Sequence, residues 1–160
     1  MKTLVLELGA HKEASDAKGW TPLHSAARRG HVAVVKALAE MGADKEASDA
    51  KGSRPLHKAA WQGHVTVVTT LVELGADKEA ATADGSRPLH KAAHRGHLAV
   101  VKAMVEMGVD KEASNATGAR PLYHAAQEGH VAVVRALIEL GADKEASAAT
   151  GSRSLLHRSI

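Results

Sequence analysis

Apolar residues recur along the chain in two kinds of short run, both at helical spacing. In the first kind, Leu23, Ala26 and Ala27 form an i, i+3, i+4 stripe behind Thr21-Pro22. The threonine hydroxyl suits an N-cap, and proline suits the first helical position, where its missing N–H is no loss. Arg28-Arg29 suits the negative end of the helix dipole, and Gly30 ends the helix. In the second kind, Val34, Val35 and Leu38 form the inward stripe of a helix running from His31 through Met41, with Lys36 four positions before Glu40 on the outside. Gly42 follows as its C-terminal glycine. Between such pairs lies a polar segment, Ala43 to Ser48, that ends in Asp49-Ala50-Lys51-Gly52, a turn signal. The unit predicted is helix, turn, helix and a short hairpin arm.

This unit repeats. Proline falls at 22, 55, 88 and 121, and the Gly-His pair at Gly30-His31, Gly63-His64, Gly96-His97 and Gly129-His130, a period of 33 residues. A period of that size means one supersecondary unit copied and stacked, stabilised by a row of interfaces between neighbours. The fold class expected is an all-α repeat solenoid, a single domain over 1–160. Its parts are an N-terminal half unit at 1–18, four full units at 19–51, 52–84, 85–117 and 118–150, and a partial unit at 151–160. Residues 1–8 align with Val34 to Met41, so the chain opens inside a second helix. In the closing segment Ser154 replaces the proline and Leu156 the histidine, which predicts a frayed last helix.

Composition narrows the function classes. There is no Cys and no Phe, with two Trp and one Tyr, so disulfides, thiol nucleophiles and cysteine metal sites are excluded. Met1-Lys2-Thr3-Leu4-Val5-Leu6-Glu7 is too short an apolar run for an export signal or a membrane span, and the expectation is an intracellular protein without membrane contact. The formal charge of +3 comes from 21 basic and 18 acidic residues that are interleaved, weak grounds for nucleic-acid binding.

The string Thr21-Pro22-Leu23-His24-x-Ala26-Ala27-x-x-Gly30-His31, followed by Val34-Val35-x-x-Leu38 and Gly42-Ala43-Asp44, resembles the ankyrin repeat. The resemblance covers almost the whole chain. It implies a β-hairpin arm beside each helix pair, and imidazoles at His24, His57 and His90 bonded to neighbouring arm and helix groups. It further implies non-enzymatic protein binding in a concave groove lined by hairpin tips and first helices. Departures are local. Arg54, Arg87, Arg120 and Arg153 replace the threonine before proline; arginine has no cap oxygen, so Ser53 or Ser86 is expected to take over the cap, or the helix start weakens by about 0.5–2 kcal/mol. Tyr123 stands in the histidine position, and Thr82, Asn115 and Ala148 in that of the turn aspartate.

Eleven histidines raise the question of metal or acid–base chemistry. Most are locked to the repeat. Equivalent atoms of adjacent repeats sit roughly 10 Å apart, whereas zinc needs nitrogens at about 2.0–2.1 Å. His90, His94 and His97 are the local exception, since the first two share an i, i+4 spacing. Repeat geometry turns His90 inward and sends His97 beyond Gly96, so neither a metal nor any other cofactor is expected. The chain has no P-loop, dinucleotide fingerprint, His-Glu-x-x-His or nucleophile elbow. Serines beside histidines, such as His24-Ser25, lack an oriented third member, and Asn115-Ala116-Thr117 reads as turn chemistry rather than a glycan acceptor. No catalytic residue is assigned.

Positions that differ between repeats are free to encode a partner. After the turn glycine stands Trp20; in mid first helix stand Ser25, Lys58, Lys91 and His124; at its end stand Arg28 and Arg29, Trp61 and Gln62, His94 and Arg95, Gln127 and Glu128. Trp20 and Trp61 are the expected anchors, although Trp61 could instead cover a neighbouring helix. The cations lie toward the N-terminal repeats and Glu128 toward the far end, so the expected partner is an acidic or amphipathic protein segment bound over the first three repeats by a monomer. Electrostatic nucleic-acid binding through the basic end is the alternative, and it would require a basic stripe with stacking aromatics. Close similarity among units also suits a designed scaffold with no natural partner. The Lys-Glu pairs at 12–13, 45–46, 78–79, 111–112 and 144–145 read as a solvated face with weak inter-repeat pairs.

Overall fold

The computed structural model describes residues 11–142. The second helix expected over residues 1–8, the closing segment with Ser154 and Leu156, and the last Lys-Glu pair lie outside the described residues. Four helix pairs follow one another: α1 (Pro22–Arg29) and α2 (Val32–Glu40), α3 (Pro55–Gln62) and α4 (Val65–Glu73), α5 (Pro88–Arg95) and α6 (Leu98–Glu106), α7 (Pro121–Gln127) and α8 (Val131–Glu139). First helices pack on first helices, α1 on α3, α3 on α5 and α5 on α7, and second helices pack likewise, giving two layers.

Side-chain size explains the stacking. Ala27, Ala59, Ala60, Ala92, Ala93 and Ala125 are fully buried, which brings successive first helices close, and Leu23, Leu56, Leu89 and Leu122 fill the space beside them. The second layer is held by larger groups, with Val67, Val68, Leu71, Val100, Val101 and Met104 all at 0% exposure. The first repeat differs: Val35 is buried, but Val34, expected to be, is 47% exposed. The second helix expected to precede it lies outside the described residues.

Each first helix starts with the N-cap residue extended and proline at N1. At Thr21 the cap is reciprocal, since Thr21 Oγ1 accepts the His24 N–H and His24 Nδ1 accepts the Thr21 N–H at 3.0 Å. At Arg54 and Arg87 only the second half survives, through His57 Nδ1 and His90 Nδ1, each 3.0 Å from the arginine N. The serines do not take over. Ser53 uses its carbonyl to accept His24 Nε2–H, and Ser86 donates its N–H to Asp84.

The Gly-His recurrence has a physical cause. Gly30, Gly63 and Gly96 end α1, α3 and α5 in the left-handed region at φ 76°, 80° and 75°, and the histidine of the next repeat lies against each. His64, His97 and His130 then donate Nε2–H to the carbonyls of Arg28, Trp61 and His94, each at 2.8 Å. Glycine opens the space and histidine fills it from the adjacent repeat.

The arms differ from the hairpin strands implied, because no strand occurs among the described residues. Each arm is a tight turn, as where Asp49 N–H donates to Ser53 O and Gly52 N–H to Asp49 O. Neighbouring arms share single backbone bonds, Ala50 to Lys18, Ala83 to Lys51 and Ala116 to Asp84, too few for a ladder. The Asn115 carboxamide oxygen accepts from Thr117 and Ala119, the turn role expected of it.

The Lys-Glu series is a set of inter-repeat ties rather than a merely solvated face. Glu13, Glu46 and Glu79 accept the backbone N–H groups of Asp44, Asp77 and Asp110 one repeat on. Lys12 and Lys78 donate to the Met41 and Met107 carbonyls beyond α2 and α6. Arg54, Arg87 and Arg120, the residues that displaced threonine, pair with Glu46, Glu79 and Glu112 of the preceding arm.

Candidate functional site

The turns and first helices of the first three repeats enclose a concave groove of about 740 Å³. Trp20 and Trp61 both line it, which makes it the location of both tryptophans in the chain. The first arm positions Trp20: Asp16 Oδ1 accepts the N–H groups of Lys18 and Trp20, each at 2.9 Å, closing a turn that presents both side chains. Trp61 stands on the last turn of α3, and its backbone carbonyl is held by His97.

Cations surround both indoles. Lys58 Nζ lies 4.3 Å, Arg28 5.3 Å and Lys18 5.6 Å from the Trp20 ring, while Arg95 lies 4.8 Å and Lys91 5.6 Å from Trp61. Such contacts hold the rings in place and lower the cost of their partial exposure. Trp61 also stacks on His94 of the next repeat, at 5.5 Å between centroids and 16° between planes, so it bridges α3 and α5 while remaining half-buried in the groove. Trp61 thus both lines the groove and covers the neighbouring helix.

Ion pairing revises the charge expected along the groove. Lys58 is not a free cation, because its Nζ lies 2.8 Å from Asp49 Oδ2. Burial alone would raise the Asp49 carboxyl, but hydrogen bonds from Lys58 and from the Ser53 and Lys51 N–H groups outweigh it and hold it at about 2. A second carboxylate, Asp84, stands in the groove wall from the third arm. The Thr82 hydroxyl donates to it and holds it at about 2, with the Ser86 N–H and the nearby Lys91 charge acting in the same direction against burial. Sequence reasoning missed Asp84, and the missed signal was its offset: it sits two positions after Thr82, in the slot occupied by Lys18 and Lys51 in the earlier arms. Lys18 and Lys51 were also missed as groove residues.

Toward the far end the rings continue. His124 on α7 meets His94 edge-on at 5.7 Å, His90 at 5.8 Å and Tyr123 at 6.2 Å. Asn115 Nδ2 lies 3.0 Å from His124 Nε2, and burial, with the neighbouring His90 and His94, pushes the imidazole down to about 4. His124 is therefore neutral near pH 7.

Of the thirteen residues singled out by their variation, Trp20, Arg28, Lys58, Trp61, Gln62 and Lys91 line the groove. His94 and Arg95 adjoin it through Trp61, and His124 through His94. Ser25, Arg29, Gln127 and Glu128 are exposed and are not brought into it.

Both ring nitrogens of the inward histidines are committed to structure. His24, His57 and His90 accept a cap N–H at Nδ1 and donate Nε2–H to Ser53 O, Ala80 O and Ala113 O. No group of metal-binding side chains occurs among the described residues. No helix among them is long and apolar enough to cross a membrane.

A family model described as ankyrin repeats in three copies matches residues 1–82 and 77–148. The chain belongs to the ankyrin repeat family. Ankyrin repeats are generally protein–protein interaction modules and typically carry no catalysis. No curated protein matches this ankyrin chain.

Proposed function

We propose that this ankyrin domain acts as a monomer and recognises an acidic or amphipathic segment of a protein partner in the groove between the first arm and α5. The observation that carries the reading is that both tryptophans line one groove, each ringed by cations. Large half-buried aromatic groups with adjacent arginine are the residue types that dominate the energetics of protein interfaces. The charge around them favours acidic partners and speeds their approach. Nucleic acid fits less well, because His94 is stacked on Trp61 where a base would have to stack.

The test is capture of partners by the full chain and by Trp61→Ala. The carbonyl that holds His97 belongs to the backbone and survives the substitution. The expected result is loss of the captured protein with little change in the urea midpoint. Binding that is unaffected both by Trp61→Ala and by raised salt would refute the assignment, and unfolding of Trp61→Ala would make Trp61 a frame residue.

A further inference from the structure

We infer that the groove takes a bipolar peptide: an acidic side chain against the Trp20 wall, an apolar side chain between the indoles, and a basic side chain at Asp84. This rests on reading the groove as a protein-binding site and adds the chemistry of the occupant.

The charges surrounding the groove do not form one basic patch once internal pairs are removed. Lys58 and Asp49 cancel at 2.8 Å. What remains is Lys18 and Lys51 on the first two arms, Arg28 on α1 and Lys91 on α5, none of which has a carboxylate partner within ion-pair distance among the described residues. Asp84 stands at the tip of the third arm. It is ionised throughout the neutral range, and Lys91, which acts on it through space, lies beyond ion-pair distance. The arm tips thus change sign along the groove, from Lys18 and Lys51 to Asp84, while the helices carry Arg28 and Lys91. A uniformly acidic segment would satisfy Lys18, Arg28 and Lys51 and be repelled by Asp84. A segment with one charge of each sign flanking an apolar residue satisfies Asp84 as well as the cations and lays its apolar group on Trp20 or Trp61. The volume of about 740 Å³ holds a segment of a few residues.

Because the two tryptophans are both in the groove, intrinsic fluorescence reports occupancy without a label. The experiment selects a displayed random-peptide library on the immobilised full chain, then titrates synthetic versions of the enriched peptides against wild type, Lys51→Gln and Asp84→Asn. The expected enriched sequences carry an apolar residue flanked by one acidic and one basic residue, in either chain direction, and shift the tryptophan emission. Neutralising the acidic residue of the peptide weakens binding to wild type about two- to fivefold, the range of a partly exposed ion pair, and weakens binding to Lys51→Gln by less. Neutralising the basic residue does the same against wild type and nothing against Asp84→Asn. Enriched sequences that are uniformly acidic, no enrichment at all, or peptide substitutions that act equally on wild type and variants overturn the charge order. If uniformly acidic enriched peptides still shift the emission, the groove remains the binding site. Peptides that leave the emission unchanged and bind Trp61→Ala as well as wild type remove both the bipolar occupant and the groove reading. Displacement of the peptides by oligothymidylate at equal concentration also overturns the proposal and assigns the groove to single-stranded nucleic acid.

Discussion

Gly63→Ala and Gly129→Ala make a controlled pair. Both glycines follow a first helix in the left-handed region, at φ 80° and 76°, so an added Cβ costs each about 1–2 kcal/mol of backbone strain. Their surroundings differ. A Cβ on Gly63 would lie 2.6 Å from His97 Nδ1 and 2.8 Å from its Cγ and Cε1, whereas no described atom lies within 4 Å of one on Gly129. The His97 ring must therefore move, which breaks its 2.8 Å bond to Trp61 O, a net loss of about 0.5–1.5 kcal/mol. Urea unfolding followed by far-ultraviolet circular dichroism is expected to give about 1–2 kcal/mol for Gly129→Ala and a further 0.5–1.5 kcal/mol or so for Gly63→Ala. In a His97→Ala background the excess is expected to vanish, since the methyl group then meets open space. Equal costs for the two single variants, or an excess that persists without His97, would refute the account of the Gly-His pair as an inter-repeat stitch.

Three further outcomes follow from the same frame. Leu71→Ala, at 0% exposure in α4, is expected to cost roughly 2–5 kcal/mol through the cavity it leaves, and a cost below 1 kcal/mol or so in urea unfolding would place Leu71 outside the core. Burial pushes His57 down from 6.5 to about 4 and lowers His24 and His90 as well, so the unfolded chain binds these protons before the folded one. Stability is then complete above about pH 6.5 and declines as the pH falls toward 4, on the order of 3 kcal/mol for His57 alone; a urea midpoint unchanged between pH 7 and pH 4.5 or so would contradict it. Arg54→Thr restores a cap worth about 0.5–2 kcal/mol and removes a part-exposed ion pair with Glu46 worth about 0.2–1 kcal/mol, so net stabilisation is expected. A destabilised Arg54→Thr in thermal unfolding would mean that the pair outweighs the cap.

The frame was legible because it recurs. Pro22, Leu23, Ala27, Gly30 and His31 stand in one register with their counterparts, and interfaces between identical units demand identical residues, so period alone located every helix pair that the structure describes. The same periodicity concealed what happens between units. That His97 reaches back to Trp61, or Glu46 forward to Asp77, is a contact spanning 36 or 31 residues, and a pattern read along one repeat cannot display a bond whose partner sits in the next. The site was half legible for a related reason. Trp20 and Trp61 stand out by their rarity, but Asp84 is hidden because it occupies a lysine slot while Thr82 occupies the aspartate slot, and the turn role of Asp49 conceals that it also neutralises Lys58. Exchanging one lysine slot for aspartate leaves the stacking frame intact, since the third turn still closes through Thr82 and Ser86, yet it reverses the charge of one arm tip in the groove. In a solenoid whose interfaces forbid change elsewhere, a turn-tip substitution of that kind alters what the surface can bind at little cost to the fold.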